Sequence, residues 1–258
     1  MNNHEIDFKL FGEEMQCVEI ELDPQEAVIA EPGSFMMMTD GIQMQTLFGD
    51  GNETGFMSKL FTAGKRLLTG ENLFMTVYTN NSNQKRQVTF AAPYAGKIIP
   101  MNLAQLGNKV ICQKNSFLCA ANGVSIGIEF QKKLGTGLFG GEGFIMQKLE
   151  GDGMAFVHSG GHVIEKQLQS GEILKVDTGC IVAFTSDVNY DIQFVGGIKN
   201  TLFGGEGVFY ASLRGPGKVW IQTLPISRLA GRILQYGTGS RKEEGSILGG
   251  LGNLLDGD

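Results

Sequence analysis

Apolar and polar positions alternate along much of this chain. "QCVEIEL" at 16–22 turns Val18, Ile20 and Leu22 to one face, and "SIGIEF" at 125–130 does the same with Ile126, Ile128 and Phe130. A period of two is the pattern of a half-buried strand. "GCIVAFTS" (179–186) and "NYDIQFV" (189–195) are β-rich segments on either side of Asp187. "ANG" (121–123), "EGDG" (150–153), "HSGG" (158–161) and "RGPG" (214–217) read as hairpin turns between such strands.

Two stretches depart from this pattern. Phe56, Leu60, Phe61, Leu67 and Leu68 recur at near-helical spacing, with Lys59, Lys65 and Arg66 among them, although Gly64 weakens the pattern. A short basic amphipathic helix there would cap an open end of a β core or lie on a membrane surface. "PISRLAGRILQYG" at 225–237 has Pro225 near its start and Gly237 as a stop, so it predicts a C-terminal helix across the β domain. Beyond it, residues 245–258 carry Ile247, Leu248, Leu251, Leu254 and Leu255 in a stretch too rich in glycine to fold alone. That tail is either disordered or ordered on a neighbouring subunit or other partner.

The strand pattern repeats. "GLFGGEGF" at 137–144 returns as "TLFGGEGV" at 201–208, a shift of 64 residues, and "EGDGMAFV" at 150–157 returns at the same shift as "RGPGKVWI". Upstream, "VICQKNSFLCA" at 110–120 matches "LKVDTGCIVAF" at 174–184. A more divergent copy lies N-terminal, with "VIAEPGSFMMM" at 28–38 and "RLLTGENLFM" at 66–75. These matches align Gly70-Glu71 with Gly141-Glu142 and Gly205-Glu206. The expectation is an all-β chain. One β domain over 1–225 consists of three sandwich- or barrel-like repeats, at about 1–102, 103–167 and 168–225, in a pseudo-threefold arrangement. Residues 226–258 add a helix and a Gly/Leu-rich tail.

The repeat also decides how to read "GTGLFG" at 135–140, which matches the G-x-G-x-x-G of dinucleotide-binding loops. That fingerprint needs a helix after its glycines. Here β-like Phe144-Ile-Met-Gln follows, and the full pattern is missing from the other copies. Gly70, Gly141 and Gly205 are therefore expected to shape strand connections. Glu71, Glu142 and Glu206 are expected to accept hydrogen bonds from amides of their own turns. A ring of three acids holding a cation or a basic partner is the functional alternative.

Glycine supplies 38 of 258 residues, in keeping with many tight turns. The 42% apolar content and mean hydropathy of −0.02 describe a globular chain. A net charge of −6 argues against nucleic acid as the main partner. Cys17, Cys112, Cys119 and Cys180 lie in strand-like contexts without C-x-x-C spacing and read as reduced core residues. The start, "MNNHEIDFKLFGEEM", lacks the features of a signal peptide, so a cytoplasmic protein is expected.

Complete catalytic sets are hard to assemble. His158 and His162, with Glu165 beyond them, have the spacing of a helical metal pair, but the two glycines of "HSGG" read as a turn. There is no His-x-His pair of the kind cupin-type barrel enzymes use. Cys180 and Ser116 occupy equivalent positions of two copies, which suits a place beside a turn better than a nucleophile. Phe35, Met36, Met37, Met38 and Met44 form a soft apolar cluster, half core and half subunit interface.

The recurring GEG turn, "EPGSFMMMTDGIQM" and the Gly/Leu-rich tail together resemble the altered-inheritance-of-mitochondria family, over about residues 5–235. "GSFMMM", "LFGGEGFIM" and "RGPGKVWIQTLP" carry the likeness. The resemblance implies a fold similar to the tryptophan RNA-binding attenuator protein, here repeated within one chain, and assembly into rings or trimers. The family's mitochondrial members are linked to inner-membrane organisation. The acidic, Arg-free start of this chain makes it look like a bacterial, cytoplasmic member. RNA and tryptophan binding do not transfer with a fold, and the family supplies no catalytic residues to carry over. The resulting expectation is a non-enzymatic β scaffold without a cofactor that self-associates as a homotrimer and acts at a protein or membrane surface. The alternatives are a small-ligand or nucleic-acid binding module and, behind it, a metal enzyme using His158, His162 and Glu165.

Overall fold

The computed structural model describes residues 5–48, 68–69, 74–132, 144–195 and 208–239. Strands β1 (Asp7–Phe11), β2 (Cys17–Leu22), β3 (Ala27–Ala30), β4 (Phe35–Met38), β5 (Ile42–Phe48), β6 (Leu68–Thr69), β7 (Phe74–Asn80) and β8 (Arg86–Ala91) come first. Then follow β9 (Gly96–Asn102), β10 (Lys109–Gln113), β11 (Phe117–Ala121), β12 (Ser125–Lys132), β13 (Phe144–Glu150) and β14 (Met154–Gly160). The last are β15 (Val163–Leu168), β16 (Ile173–Asp177), β17 (Ile181–Thr185), β18 (Asn189–Val195), β19 (Val208–Arg214) and β20 (Gly217–Gln222). A helix, α1 (Ile226–Gly239), ends the described chain. Among the described residues the fold is all-β with one C-terminal α-helix. The inserted helix expected at 56–68 falls outside the described residues except at its last position, Leu68, which lies in β6.

Hydrogen bonding follows one scheme three times. Within the strand groups β2-β3-β4-β5-β7-β8, β9–β14 and β15–β20, the first and third strands both pair with the sixth. The second and fourth both pair with the fifth. Even the irregularities coincide. The third strand slips register against the sixth between Phe35 and Met37, between Phe117 and Cys119, and between Ile181 and Ala183. A bulge re-aims a strand and is a designed feature rather than a defect. Phe117 and Ile181 lie 64 residues apart, the shift found in the sequence. Strands β9 and β15 pair forward, with β14 and β20, so each hydrogen-bonded group begins one strand earlier than the sequence repeats at 103 and 168.

Two junctions fuse the groups into long sheets. Strand β3 pairs with β11 (Val28↔Ala121, Ile29↔Ala120, Ala30↔Cys119), giving the sheet β5-β7-β3-β11-β14-β9. Strand β10 pairs with β17 (Val110↔Thr185, Ile111↔Phe184, Cys112↔Ala183), giving β15-β20-β17-β10-β13-β12-β6. The register is the same in both: Val110 stands to Thr185 as Val28 stands to Ala121. The remaining sheets, β1-β2-β8-β4 and β16-β19-β18, end on β4 and β16, each unpaired on its outer edge among the described residues.

Burial follows from this connectivity. In β2, Val18, Ile20 and Leu22 are fully buried while the residues between them are half-buried, as the alternation predicts. Strands β11 and β17 have partners on both edges and are buried at every residue. That explains their continuous apolar runs. One apolar cluster extends from β2 and β3 through Phe117 and Phe156 to Ala183 and Trp220. A second, including Val176, Phe184, Ile192, Ala211 and Leu213, fills the third group.

One turn departs from the sequence reading. In "HSGG" the strand β14 runs on through Gly160, and the bend comes at Gly161, whose φ is +66°. Gly160 is instead a place of close approach: a Cβ there would overlap the Leu224 carbonyl, and one on its partner Gly96 would overlap that of Ser159. The helix α1 starts as its sequence signals indicate, with the Pro225 carbonyl accepting from the amides of Arg228 (3.0 Å) and Leu229 (3.2 Å). No helix among the described residues is long and apolar enough to cross a membrane.

Candidate functional site

The residues singled out in sequence separate into three sets. Gly70, Glu71, Gly141, Glu142, Gly205 and Glu206 lie outside the described residues, and so does the tail at 245–258. His158, His162 and Glu165 do not face a common centre. His158 is buried inside β14, while His162 is exposed beyond the Gly161 bend, its amide donating to Thr223 Oγ1 at 2.9 Å. Glu165, on β15, accepts from Lys218 Nζ (2.9 Å) and from Trp220 Nε1 (3.0 Å) across the β15–β20 pair. No group of three or more His, Cys, Asp or Glu among the described residues is placed to hold a metal ion. All four cysteines are free thiols. Burial pushes the Cys112 and Cys119 thiols well above their usual range, which makes them inert core side chains.

The methionine cluster lies open to solvent. Phe35, Met36, Met37 and Met38 of β4 are 38, 54, 52 and 38% exposed, although they occupy the third-strand position that is fully buried in the other two groups. The ring of Phe35 stacks on Tyr78 with centroids 5.6 Å apart, so the strand is packed on its inner side. What it lacks is a neighbour on its outer edge.

A second feature escaped the sequence reading. A cleft of about 380 Å³ opens at the junction of the first two groups. It is lined by the turn Glu31–Ser34 between β3 and β4, by Tyr94 between β8 and β9, by Asn115, Leu118 and His158 of the second group, and by Ile226 at the start of α1. His158 is 1% exposed, and its Nδ1 has no hydrogen-bond partner among the described residues. Burial pushes its pKa down to about 4, against the pull of a hydrogen bond to the Asn115 backbone, so the ring is neutral. The edge of one ring meets the face of the other where His158 packs on Tyr94, centroids 5.0 Å apart. Burial raises the Glu31 carboxyl to about 7, with Lys114 opposing in part. Burial, and then Glu31, raise the Tyr94 phenol to about 12.

The shared register identifies the corresponding residues at the second junction. His158 corresponds to Gln222, Asn115 to Gly179 and Glu31 to Gln113. Gln222 Nε2 donates to the Gly179 carbonyl at 2.8 Å, as the His158 ring bonds the Asn115 backbone. The Gln222 Oε1 then accepts the Gly160 amide at 2.7 Å. At the first junction the equivalent acceptor, His158 Nδ1, is left without a donor. The junction that is sealed by two amides in one place is open, acidic and unsatisfied in the other.

A family model described as Mitochondrial biogenesis AIM24 matches residues 8–224. The chain belongs to the AIM24 family. One relative in this family is an uncharacterised protein of Streptococcus pyogenes serotype M6, 28% identical over 221 residues that cover 85% of this chain and 86% of that protein. Among solved structures, the crystal structure of a Streptococcus pyogenes protein superposes with a TM-score of 0.69 at 24% identity. It covers 90% of this chain and all of the other. At that identity the likeness is one of fold.

Proposed function

We propose that this AIM24 family member is a non-enzymatic β scaffold that self-associates head to tail, the free edge of β4 in one copy pairing with the free edge of β16 in the next. The observation that carries this reading is the pair of internal junctions. A second strand joins the third strand of the following group twice, in one register. The second strand of the last group, β16, and the third strand of the first, β4, are the two left over. Extending the register gives Leu174↔Thr39, Lys175↔Met38 and Val176↔Met37 between copies.

Apolar exposure supports the same surface. Met36, Met37 and Met38 on β4 and Ile173 on β16 would be covered by it. Burying side chains of this size stabilises by about 1.5–3 kcal/mol each when complete. An open edge of this kind is otherwise an aggregation hazard. Head-to-tail contacts close into rings or run on as filaments. The family resemblance favours a closed ring, with a homotrimer as its simplest form. The stretch 245–258 would then offer a separate contact, to a protein or membrane surface, which pull-downs with and without it would test.

Light scattering on the purified chain tests the self-association directly. The mass expected is a multiple of 27.9 kDa. Lys175→Pro, which removes an edge amide without touching the core, should reduce it to one chain. A monomeric wild type at micromolar concentration contradicts the reading.

A further inference from the structure

We propose that the cleft at the first junction binds a small organic cation bearing N–H donors, a primary ammonium or guanidinium on a compact body, between the Glu31 carboxylate and His158 Nδ1. The cleft lies at the first internal junction, and the inference does not rest on self-association.

Three observations converge. The cavity has room for a small molecule, at about 380 Å³. Its wall contains an imidazole nitrogen that is buried and unsatisfied, which in a protein interior is uncommon and costly. The His158 ring hydrogen-bonds the Asn115 backbone, so its Nδ1 offers a lone pair, and what it lacks is a donor. Glu31, in the same wall, is a half-buried carboxyl that burial raises to about 7 against the partial pull of Lys114. A carboxylate in that setting calls for a positive charge. Tyr94 adds an aromatic ring, and Leu118 and Ile226 an apolar wall for the body of the ligand.

The molecule itself shows which chemistry this turn accepts. Asp177, in the third group, occupies the turn position of Glu31. Arg228 Nη2 of α1 lies 3.5 Å from Asp177 Oδ2, in the place a ligand cation would take beside Glu31. At the second junction Gln222 receives its donor from the Gly160 amide. The first junction has the same two acceptor positions; no described residue donates to His158 Nδ1, and Lys114 offsets the burial of Glu31 only in part.

Long-range nitrogen NMR of the histidine rings reads the site out, with n-butylammonium and agmatine as probes and 1-pentanol as a neutral alcohol of similar size. Both cations should displace the His158 Nδ1 resonance saturably, and 1-pentanol should not. Glu31→Gln should weaken both cations at least about tenfold, the equivalent of one close charge pair. His158→Gln should fold normally, since Gln222 fills that position in the next group, and should also weaken binding. The inference fails if millimolar cations leave the His158 ring unmoved, if 1-pentanol binds as well as n-butylammonium, or if Glu31→Gln binds as tightly as the wild type.

Discussion

Strands β4, β11 and β17 hold the same position in three groups of strands and live in different surroundings. The last two lie mid-sheet and are buried throughout, while β4 ends its sheet and shows four apolar side chains to solvent. Sequence composition does not make the difference, since "FMMM" is as apolar as "FLCAA" or "IVAFT". Position in the chain does. Among the described groups the first has no predecessor to supply a second strand, and the last has no successor to receive one. A chain built of units that pair forward must leave one edge of each kind open, and a second copy fits both.

The sharpest way to break this comparison is to place the same charge at equivalent positions. Ala120→Asp in β11 puts a carboxylate where the chain is fully buried and should cost about 3–5 kcal/mol, enough to unfold much of the protein in urea titration. Met38→Asp, at the corresponding place in β4, should cost under about 1 kcal/mol in the isolated chain while abolishing self-association in light scattering. Equal destabilisation by the two changes would mean that β4 is already covered.

The two junctions give a smaller contrast. Gln222→Leu strands the Gly160 amide and the Gly179 carbonyl and should cost about 1–3 kcal/mol. His158→Gln at the other junction should be near neutral, because the acceptor it replaces has no partner to lose. Thermal or urea unfolding of the two variants side by side distinguishes them.

The smallest effect is in the pH dependence. His158 titrates at about 4 in the fold against 6.5 when unfolded, so the unfolded chain binds the extra proton in that window and stability falls as pH falls through it. Glu31 titrates at about 7 against 4.5, so the folded chain binds the extra proton and stability falls as pH rises through that window. The two slopes oppose one another between 4.5 and 6.5 and nearly cancel in the wild type. In Glu31→Gln the histidine acts alone, and stability should rise with pH from 4 to 6.5. In His158→Gln it should fall from 4.5 to 7. Flat profiles in both variants would show that neither group is as buried as the cleft makes it.

Much of the architecture was legible before any coordinates. The 64-residue spacing seen in the glycine-rich segments also separates the register slips at Phe117 and Ile181. The alternation in β2 and the Pro225 signal at the head of α1 read correctly for local reasons, whereas in β12 a register slip between Ile128 and Phe130 breaks the alternation, so that Ile126 joins the first apolar cluster and Phe130 packs against the second. His158 was harder, since two adjacent glycines usually mean a turn. Here Gly160 allows another backbone to approach, a fact about Leu224, some 60 residues away. The cleft was out of reach for the same reason. Glu31, Tyr94 and His158 are unremarkable singly, and only the junction between groups brings them together. Gly70, Glu71, Gly141, Glu142, Gly205 and Glu206, the most conspicuous residues in the sequence, lie outside the described residues.

The pairing of one copy with the next is tested most directly by a disulfide. Met37→Cys and Val176→Cys, introduced together with Cys17 and Cys180 replaced by serine, place two thiols opposite each other across the proposed junction, where paired strands bring Cα atoms within about 4.5–5.5 Å. Mild oxidation should give a ladder of linked chains, each bond joining residue 37 of one to 176 of another. Chains that remain single, or that link 37 to 176 within themselves, contradict the account.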